Sequence, residues 1–404
     1  MVPPLTASPA SAPSAIGVVG GGQLAWMLAA AAQELSLPLH VQTPCADDPA
    51  VALAAGVIQA PLDDVAATRR LAATCQAITF ENEWVDLQAL ASLVEEGVTF
   101  YPSLDALASL VSKHEQRLLL QRLGLPSPAW LPLGALQPLK SADPVLPEGW
   151  TFPVMAKAAT GGYDGKGTRL LNGQQDLLDL WDQIDPEDWI LEAFVSFDCE
   201  LSQLACRDRE GNVVCYPLVQ THQHQQVCDW VLSPAVVPHA VQAFARNIAA
   251  SLLTALDYVG VLSIELFHGP AGLVVNEIAP RTHNSGHVTI EACRTSQFAQ
   301  QARIVAGLPT GPVDLQVPGA LMVNLLGFEH SSDDYLDRRR QLADLPGATL
   351  HWYGKRQSSP GRKLGHVTLL LDDPTPTVRQ QLARERLAAV RSIWPLPEEA
   401  HSGS

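Results

Sequence analysis

Short apolar runs alternate with helical patterns over the first hundred or so residues. We expect strands at Ile16–Val19, Leu39–Thr43 and Ala77–Phe80, because each is a brief, strongly apolar run beside turn-forming residues. Between and after them, Gln23–Leu35 and Leu87–Glu96 carry the spacing of helices. This alternation predicts a parallel α/β sheet in the first domain.

The pattern changes further along the chain. Leu104–Leu123 is predicted to be one helix that stops at Gly124, with Pro126 beyond it. A second helix is predicted at Val241–Leu256. Strands are expected on both sides of a glycine-rich loop at Gly161 and then at Asp188–Phe194, Glu200–Cys206, Val259–Phe267 and Leu273–Ile278, followed by a mainly β part from Val317 to Leu371.

Length and charge limit the function classes. The chain has 404 residues, 47% of them hydrophobic, which predicts two or three folded domains rather than disorder. The net charge of −16 argues against nucleic acid and anionic membranes as partners, so an anionic substrate needs a local group of cations. No apolar run reaches the ~18 residues that a membrane span needs. Residues 1–14 lack Lys and Arg, and we expect a disordered extension there and a loose tail at 397–404.

The cysteines point to a reducing compartment. There are seven of them, irregularly spaced and without a C-x-x-C pair, which predicts reduced thiols and a cytoplasmic protein. His222, His224 and Cys228 are close enough in sequence to suggest a metal site. A fourth ligand is missing nearby, so packing beside a strand is the favoured interpretation.

Two glycine-rich segments could approach phosphate groups. Gly20-x-Gly22-x-x-Ala25 fits the dinucleotide fingerprint, although a plain tight turn is an equal alternative. The second segment runs from Gly161 to Thr168, contains Lys166 and follows Lys157. Its backbone amides could wrap phosphate oxygens while the lysines offset their charge, but its spacing is not that of a Walker A loop.

Two carboxylates could hold a cation. If the turn at 268–272 pairs Phe267 with Leu273, Glu265 and Glu277 lie diagonally on one sheet face, and a slip of one residue would separate them. With the amide oxygen of Asn276, they suit Mg²⁺ that bridges nucleotide phosphates. A solvated strand face is the alternative interpretation.

Basic and imidazole groups follow these acids. Arg281 offers a planar fork to an oxyanion, and His283 could donate to it or move a proton near neutral pH. Four cations, Lys355, Arg356, Arg362 and Lys363, flank a Ser-Ser-Pro-Gly turn. They could form a phosphate monoester pocket or simply be surface charges of a turn.

In this order, the motifs resemble those of the ATP-grasp carboxylases of purine biosynthesis. The resemblance runs from about Ile16 to beyond Leu370, and its most specific segments are Thr160–Gly167, Asn276–His287, His351–Lys355 and Pro360–His366. It implies an α/β and α+β fold: a Rossmann-like pre-ATP-grasp domain at 15–112, an ATP-grasp domain at 113–312 with a lid subdomain near 125–195, and a mostly β region at 313–396.

The resemblance also implies an activity. ATP and bicarbonate would carboxylate 5-aminoimidazole ribonucleotide through carboxyphosphate, giving the N5-carboxy product, ADP and phosphate, with Mg²⁺ and in a cytoplasmic homodimer. A formate-dependent glycinamide ribonucleotide transformylase, or a biotin carboxylase, is the alternative within the ATP-grasp class. Outside it, we considered an oxidoreductase built on the Gly20 turn and a nucleotide-binding regulator.

Site residues follow from the resemblance, position by position. Glu265 and Glu277 would bind the metal. The ATP site would comprise Lys113, Lys157, Gly162, Tyr163, Asp164, Gly165, Lys166, Gly167, Thr168, Glu192, Ala193, Phe194, Val195, Glu200, Asn276 and Glu277. Catalysis would involve Tyr163, Asp164, Lys166, Arg281, His283 and Asn284. The ribonucleotide and bicarbonate would contact Gln23, Leu24, Glu81, Arg281, His283, Asn284, Ser285, Lys355, Arg362 and Lys363.

This chain departs from the family pattern at three places. It has Lys113 where many members have arginine, and Gln223 between His222 and His224 where a histidine is usual. The segment that starts at Glu81 contains a second acid, Glu83, which is the alternative to Glu81 as a ribonucleotide contact. None of these differences removes the two metal carboxylates.

Overall fold

The computed structural model describes residues 15–136, 146–162 and 167–398. The predicted N-terminal extension, the end of the tail and lid residues Tyr163–Lys166 lie outside the described residues. Within those ranges, no helix combines the length and apolar character that crossing a bilayer requires. All seven cysteines are described, and none of them forms a disulfide.

The first sheet is parallel, as predicted. Its strands lie in the order β3-β2-β1-β4 and comprise β1 (Ala15–Val19), β2 (Leu39–Thr43), β3 (Gly56–Gln59) and β4 (Cys75–Phe80). Helices cover it: α1 (Gln23–Glu34), α2 (Val65–Ala72) and α3 (Leu87–Glu95). Ile16, Val18 and Val41 are fully buried, as expected for strands with both faces covered. Asp64 and Asp86 start α2 and α3 by accepting backbone N–H groups.

The predicted helix Leu104–Leu123 is wrong as a single element. The chain forms α4 (Leu104–Ala108) and α5 (Lys113–Leu123), and the extended backbone of Ser112 separates them. The break lets the Lys113 N–H donate to the Ala159 carbonyl at 2.8 Å. This hydrogen bond ties the start of α5 to the neighbouring sheet. The helix ends at Gly124 in the left-handed conformation, as the sequence predicted.

A second, antiparallel sheet surrounds the glycine-rich loop. Its order is β5-β8-β6-β7, and its strands are β5 (Trp130–Pro132), β6 (Val154–Ala158), β7 (Thr168–Leu171) and β8 (Trp189–Ala193). Helix α6 (Gln174–Trp181) packs against it through Leu177 and Leu180. The expected strands before and after the loop are therefore confirmed.

The largest sheet links the middle of the chain to its C-terminal part. The order is β14-β13-β9-β11-β12-β15-β17-β16, with β10 paired to β9. Its strands are β9 (Cys199–Arg207), β10 (Val213–Cys215), β11 (Val219–His224), β12 (Val227–Ser233), β13 (Gly260–Gly269), β14 (Gly272–Ala279), β15 (Gly319–Leu326), β16 (Ala348–Trp352) and β17 (Lys363–Leu371).

The predicted pairing of β13 with β14 is wrong by one residue. Phe267 pairs with Val274 rather than Leu273, and a bulge at Asn276 then brings Glu265 directly opposite Glu277. With Phe267 opposite Val274, a regular ladder would place Glu265 opposite Asn276. The bulge adds one residue to β14, so Glu277 faces Glu265 instead, and the sequence pattern does not reveal this extra residue. The conclusion that both carboxylates share one face survives for a different reason.

Helices complete the structure on both sides of this sheet. They are α7 (His239–Ala255), α8 (Thr289–Ala292), α9 (Gln297–Val305), α10 (Leu336–Ala343) and α11 (Pro376–Ile393). No helix is predicted from the sequence after residue 317, whereas α10 and α11 lie there beside β15–β17. Helix α11 packs through Ala383, Leu387 and Val390, a spacing of four and three.

Candidate active site

Two carboxylates form the centre of the candidate site. The side chains of Glu265 and Glu277 are 30% and 35% exposed, so both reach an open surface from buried strands. Burial and the facing Glu277 carboxylate raise the pKa of Glu265 to about 7. Burial also favours a neutral Glu277, but Lys113, Lys157 and Arg117 together outweigh it and lower the pKa of Glu277. Glu277 therefore ionises more readily than Glu265, as is common when two neighbouring acids interact.

Two lysines lie against these acids. Lys113, the first residue of α5, donates through Nζ to Glu277 Oε1 at 2.7 Å. Lys157, on β6, is buried and donates to Asn276 Oδ1 at 2.8 Å. Burial lowers the pKa of Lys157 and exceeds the opposite effect of Glu192. The predicted phosphate-binding lysines and metal carboxylates are thus one connected cluster.

A buried arginine that the sequence analysis missed supports this cluster. Arg117 Nε donates to Glu192 Oε1 at 2.7 Å, and one of its terminal nitrogens donates to the Asn276 carbonyl at 2.6 Å. The bulge has freed that carbonyl from the ladder, so Arg117 fixes the geometry of the bulge. Arg117 follows Lys113 by four residues on α5, a helical spacing that could have revealed it.

The Glu192 side chain has a structural role that the predicted backbone contact did not include. It is buried and bridges Arg117 and Lys157, with Oε2 2.8 Å from the Lys157 Nζ. Both Glu192 and Ala193 lie within β8, whereas Phe194 and Val195 follow the strand and line a cleft of about 300 Å³. Glu200 lies on β9 beside Phe267, and burial raises its pKa although His222 opposes this.

The glycine-rich loop starts and ends close to Lys157. Thr168 pairs with Lys157 across β6 and β7, and the Gly167 carbonyl accepts the Ala158 N–H at 2.7 Å. Gly167 has a φ of +81°, which favours glycine there. Gly162 is also described, so both ends of the predicted lid flank the charged cluster.

Arg281 and His283 follow β14 on the same side as the acids. Arg281 forms two hydrogen bonds with Glu83, at 2.6 and 3.4 Å. His283 Nδ1 lies 2.9 Å from Ser285 Oγ, and its Nε2 lies 3.5 Å from Glu265 Oε1. Burial, with Arg281 and Lys363, holds the pKa of His283 well below its usual range, so the ring is neutral. The sequence predicts Glu83 only as the alternative to Glu81.

Asn284 and Ser285 are held by partners inside the protein. The amides of Asn284 and Asn324 bond to each other in both directions, at 3.0 and 2.6 Å. Ser285 Oγ contacts Ser202 Oγ at 2.7 Å and Ser263 Oγ at 3.2 Å. Asn324 carries no local sequence signal, because it contacts Asn284 from a strand forty residues away.

The predicted ribonucleotide residues come from both ends of the chain. Lys355 Nζ donates to Gln23 Oε1 at 2.8 Å and to the Lys363 carbonyl at 2.7 Å, which joins the first and last parts of the chain. The positive charge of Lys363 opposes part of the rise in the pKa of Glu265. Arg362 donates to the Gln357 carbonyl from an exposed position, and Arg356 pairs with Asp47.

Glu81 occupies the start of α1. Its carboxylate accepts the N–H groups of Gly22 at 2.7 Å, Leu24 at 3.1 Å and Ala25 at 3.3 Å. A Cβ on Gly20 or Gly22 would lie 2.4 or 2.6 Å from Glu81 atoms. Gly20 and Gly22 therefore leave space for the Glu81 carboxylate, which already accepts the backbone N–H groups at the start of α1.

The structure treats the two candidate metal sites, His222/His224/Cys228 and Glu265/Glu277, differently. His222 contacts Asp229 at 3.2 Å and stacks on Trp230, while His224 contacts the Pro397 carbonyl at 3.2 Å. Among the described residues, no group of three or more His, Cys, Asp or Glu side chains could hold a metal ion. A cation at Glu265 and Glu277 would need further oxygens from a ligand.

Three family models match successive parts of the chain. They are a ribonucleotide synthetase preATP-grasp domain at residues 14–110, an ATP-grasp domain at 118–298 and a phosphoribosylaminoimidazole carboxylase C-terminal domain at 320–381. The first sheet lies in the first range, the second sheet and β9–β14 lie in the second, and β15–β17 coincide with the third.

Relatives resemble the chain over its full fold. An N5-carboxyaminoimidazole ribonucleotide synthase of Synechococcus elongatus is 52% identical, with 96% of this chain and 97% of the relative aligned. One from Synechocystis is 47% identical, covering 94% and 97%. The crystal structure of the Thermotoga maritima synthetase matches with a TM-score of 0.82 at 32% identity, covering 95% of this chain and 100% of that one. An Aspergillus clavatus synthase in complex with ADP and 5-aminoimidazole ribonucleotide matches with a TM-score of 0.84 at 29% identity, covering 94% and 99%.

Proposed function

This chain belongs to the N5-carboxyaminoimidazole ribonucleotide synthase family of ATP-grasp ligases, and we propose that its Glu265–Glu277 cluster is where ATP is used. It catalyses the ATP-dependent carboxylation of 5-aminoimidazole ribonucleotide in purine biosynthesis. The observation that carries the residue assignment is the pairing of Glu265 with Glu277, directly beside Lys113 and Lys157.

Glu265 and Glu277 would hold Mg²⁺ together with phosphate oxygens of ATP. Their oxygens are the hard ligands that this ion prefers, and two acids alone leave positions for phosphates and water. When bound, the ion would offset charge on the transferred phosphoryl group. Lys113 and Lys157 offer the same phosphates fixed positive charges, with Asn276 between Lys157 and the acids.

The rest of the nucleotide site follows the strand and loop positions. The backbone of Glu192–Val195 would read adenine, and Glu200 would contact the ribose. Gly162, Gly167 and Thr168 would anchor a closing lid that contains Tyr163, Asp164, Gly165 and Lys166. A lid is physically necessary, because carboxyphosphate is labile in water and must be shielded from it.

Bicarbonate would lie near His283. A bicarbonate oxygen attacks the γ-phosphorus of ATP, the bond to ADP breaks, and the carboxyphosphate formed gives CO₂ and phosphate. The exocyclic amine of the ribonucleotide then attacks CO₂ and loses a proton. Arg281, His283, Asn284 and Ser285 would orient these groups with Tyr163 and Asp164 from the lid. His283 and Asp164 are both candidates for the base that takes this proton.

The ribonucleotide would bind between the two ends of the chain. Gln23 and Leu24 at the start of α1, with Glu81, would form one side, and Lys355, Arg362 and Lys363 would provide cations for its phosphate. The contact of Lys355 with Gln23 supports this pocket, since it brings both sides together. A homodimer and a cytoplasmic location are further parts of the proposal, and sedimentation analysis and cell fractionation would test them.

One assay tests the function and its runner-up. ADP formation should require both 5-aminoimidazole ribonucleotide and bicarbonate. Stimulation by formate with glycinamide ribonucleotide instead would favour the transformylase. The oxidoreductase alternative is disfavoured by Glu81, which occupies the amides that a dinucleotide phosphate would need.

A further inference from the structure

A buried glutamine holds the backbone of His283 from both sides. Gln297 is the first residue of α9, and its side chain is fully buried. Its Oε1 accepts the His283 N–H at 2.9 Å, and its Nε2 donates to the His283 carbonyl at 2.7 Å. Since a backbone N–H only donates and a carbonyl only accepts, the orientation of this amide is fixed.

The same amide contacts a second histidine. Gln297 Nε2 lies 3.2 Å from His287 Nδ1, so Nδ1 is the acceptor and the proton of that ring lies on its other nitrogen. Gly286 packs so closely that a Cβ there would lie 2.4 Å from Gln297 Oε1. The turn between His283 and His287 therefore packs directly against the Gln297 side chain.

This clamp determines where the His283 ring lies. Gln297 fixes the peptide of His283, and Ser285 fixes its Nδ1, so Nε2 points towards Glu265. The helix that carries Gln297 also packs against α1, through Phe298 and Ala302 beside Ala25 and Ala29. Helix α9 therefore connects the first domain to the site.

We propose that Gln297 is a positioning residue for bicarbonate activation, acting through the backbone of His283. This inference rests on the proposed role of His283. Loss of the amide would leave the fold and the phosphate-binding lysines in place but let the His283 ring leave its orientation. Because a misplacement of about 1 Å in a positioning group can cost about 100-fold in rate, the effect should be large and confined to bicarbonate.

The chain contains a matched control on the same helix. Gln300 is also fully buried, and it clamps the Gly311 peptide in the same way, accepting its N–H at 2.8 Å and donating to its carbonyl at 3.0 Å. Gln300→Met therefore removes an equivalent set of hydrogen bonds away from the site. Comparing it with Gln297→Met separates positioning from general loss of stability.

The experiment measures steady-state ADP formation with each substrate varied in turn. For Gln297→Met we expect kcat/KM for bicarbonate to fall about 10-fold or more, with the KM for ATP within about twofold of the wild type. Gln300→Met should lower the melting temperature by a similar amount but leave bicarbonate kinetics within twofold. Gln297→Glu keeps the shape and the acceptor for the His283 N–H, so it should lie between wild type and Gln297→Met and serves if the methionine variant does not fold.

Three results would overturn the inference. They are unchanged bicarbonate kinetics in both Gln297 variants, an equal loss in Gln300→Met, and an equal loss towards ATP and bicarbonate. A wild-type protein without turnover that depends on the ribonucleotide and bicarbonate would instead contradict the proposed function. The two failures are therefore distinguishable.

Discussion

Glu265 and Glu277 face each other across neighbouring antiparallel strands because Asn276 is an extra residue in one of them. Two facing carboxylates repel each other, and Lys113 binds only one of them. A cation shared by both acids would relieve this repulsion, which is why the pair suits a metal nucleotide.

Replacing Glu277 with glutamine should abolish most turnover while the protein stays folded. The variant Glu277→Gln removes one of two anionic ligands and leaves Lys113 without its carboxylate. We expect kcat to fall about 100-fold or more, the usual size of losing one group that stabilises developing charge. ADP formation at several Mg²⁺ concentrations measures it.

Glu115→Gln is the matched control for that experiment. Glu115 lies on α5, is exposed and pairs only with His114 among the described residues, so its loss should leave kcat unchanged. Full turnover of Glu277→Gln with the Mg²⁺ dependence of the wild type would show that this acid is not a metal ligand.

Arg117→Met should destabilise the protein strongly. The guanidinium is 1% exposed, and its removal leaves Glu192 buried with one cation fewer. Breaking a buried pair in this way typically costs about 3–5 kcal/mol. Denaturant unfolding of Arg117→Met measures the loss. Arg122→Met, near the end of the same helix, should change stability by about 0.5 kcal/mol at most, and equal losses in both variants would contradict the assignment.

Gly20→Ala should cost more stability than Gly97→Ala. Both glycines have a left-handed φ, +120° and +91°, so both substitutions strain the backbone. Only at Gly20 would the new Cβ meet another residue, 2.4 Å from the Glu81 Cβ, while Gly97 has nothing within 4 Å. Thermal unfolding of the two variants isolates this collision. Equal melting temperatures would mean that Glu81 moves aside without cost.

The loss of unfolding free energy caused by Glu192→Gln should depend on pH. Burial opposes ionisation of Glu192, but Lys157 and Arg117 outweigh it and lower its pKa. A lowered folded-state pKa stabilises the protein fully above the unfolded value of about 4.3 and progressively less as the pH falls below it. The difference in unfolding free energy between wild type and Glu192→Gln should therefore be constant from pH 7 to about 5 and shrink below about 4.3. A difference that grows on acidification would reverse the sign of this interaction.

Local patterns predicted the parts of the fold that depend on neighbouring residues. The strand Leu39–Thr43 and the stop at Gly124 came directly from apolar runs and a left-handed glycine. The glycine-rich loop and the two acids were recognisable because their chemistry needs particular residue types. The break within Leu104–Leu123 was missed, since a backbone bond from Lys113 to a distant sheet decides it.

The sequence by itself determined which side chains were available for the chemistry, and in what order. Only the tertiary structure decided their partners. Arg281 pairs with Glu83 across 198 residues, Asn284 with Asn324 across 40, and the bulge at Asn276 sets which acids face each other. The physical reason is that the pattern of apolar and polar residues along the chain reflects which residues are buried. Hydrogen bonds and ion pairs between distant residues depend on distances that exist only after the sheets have packed.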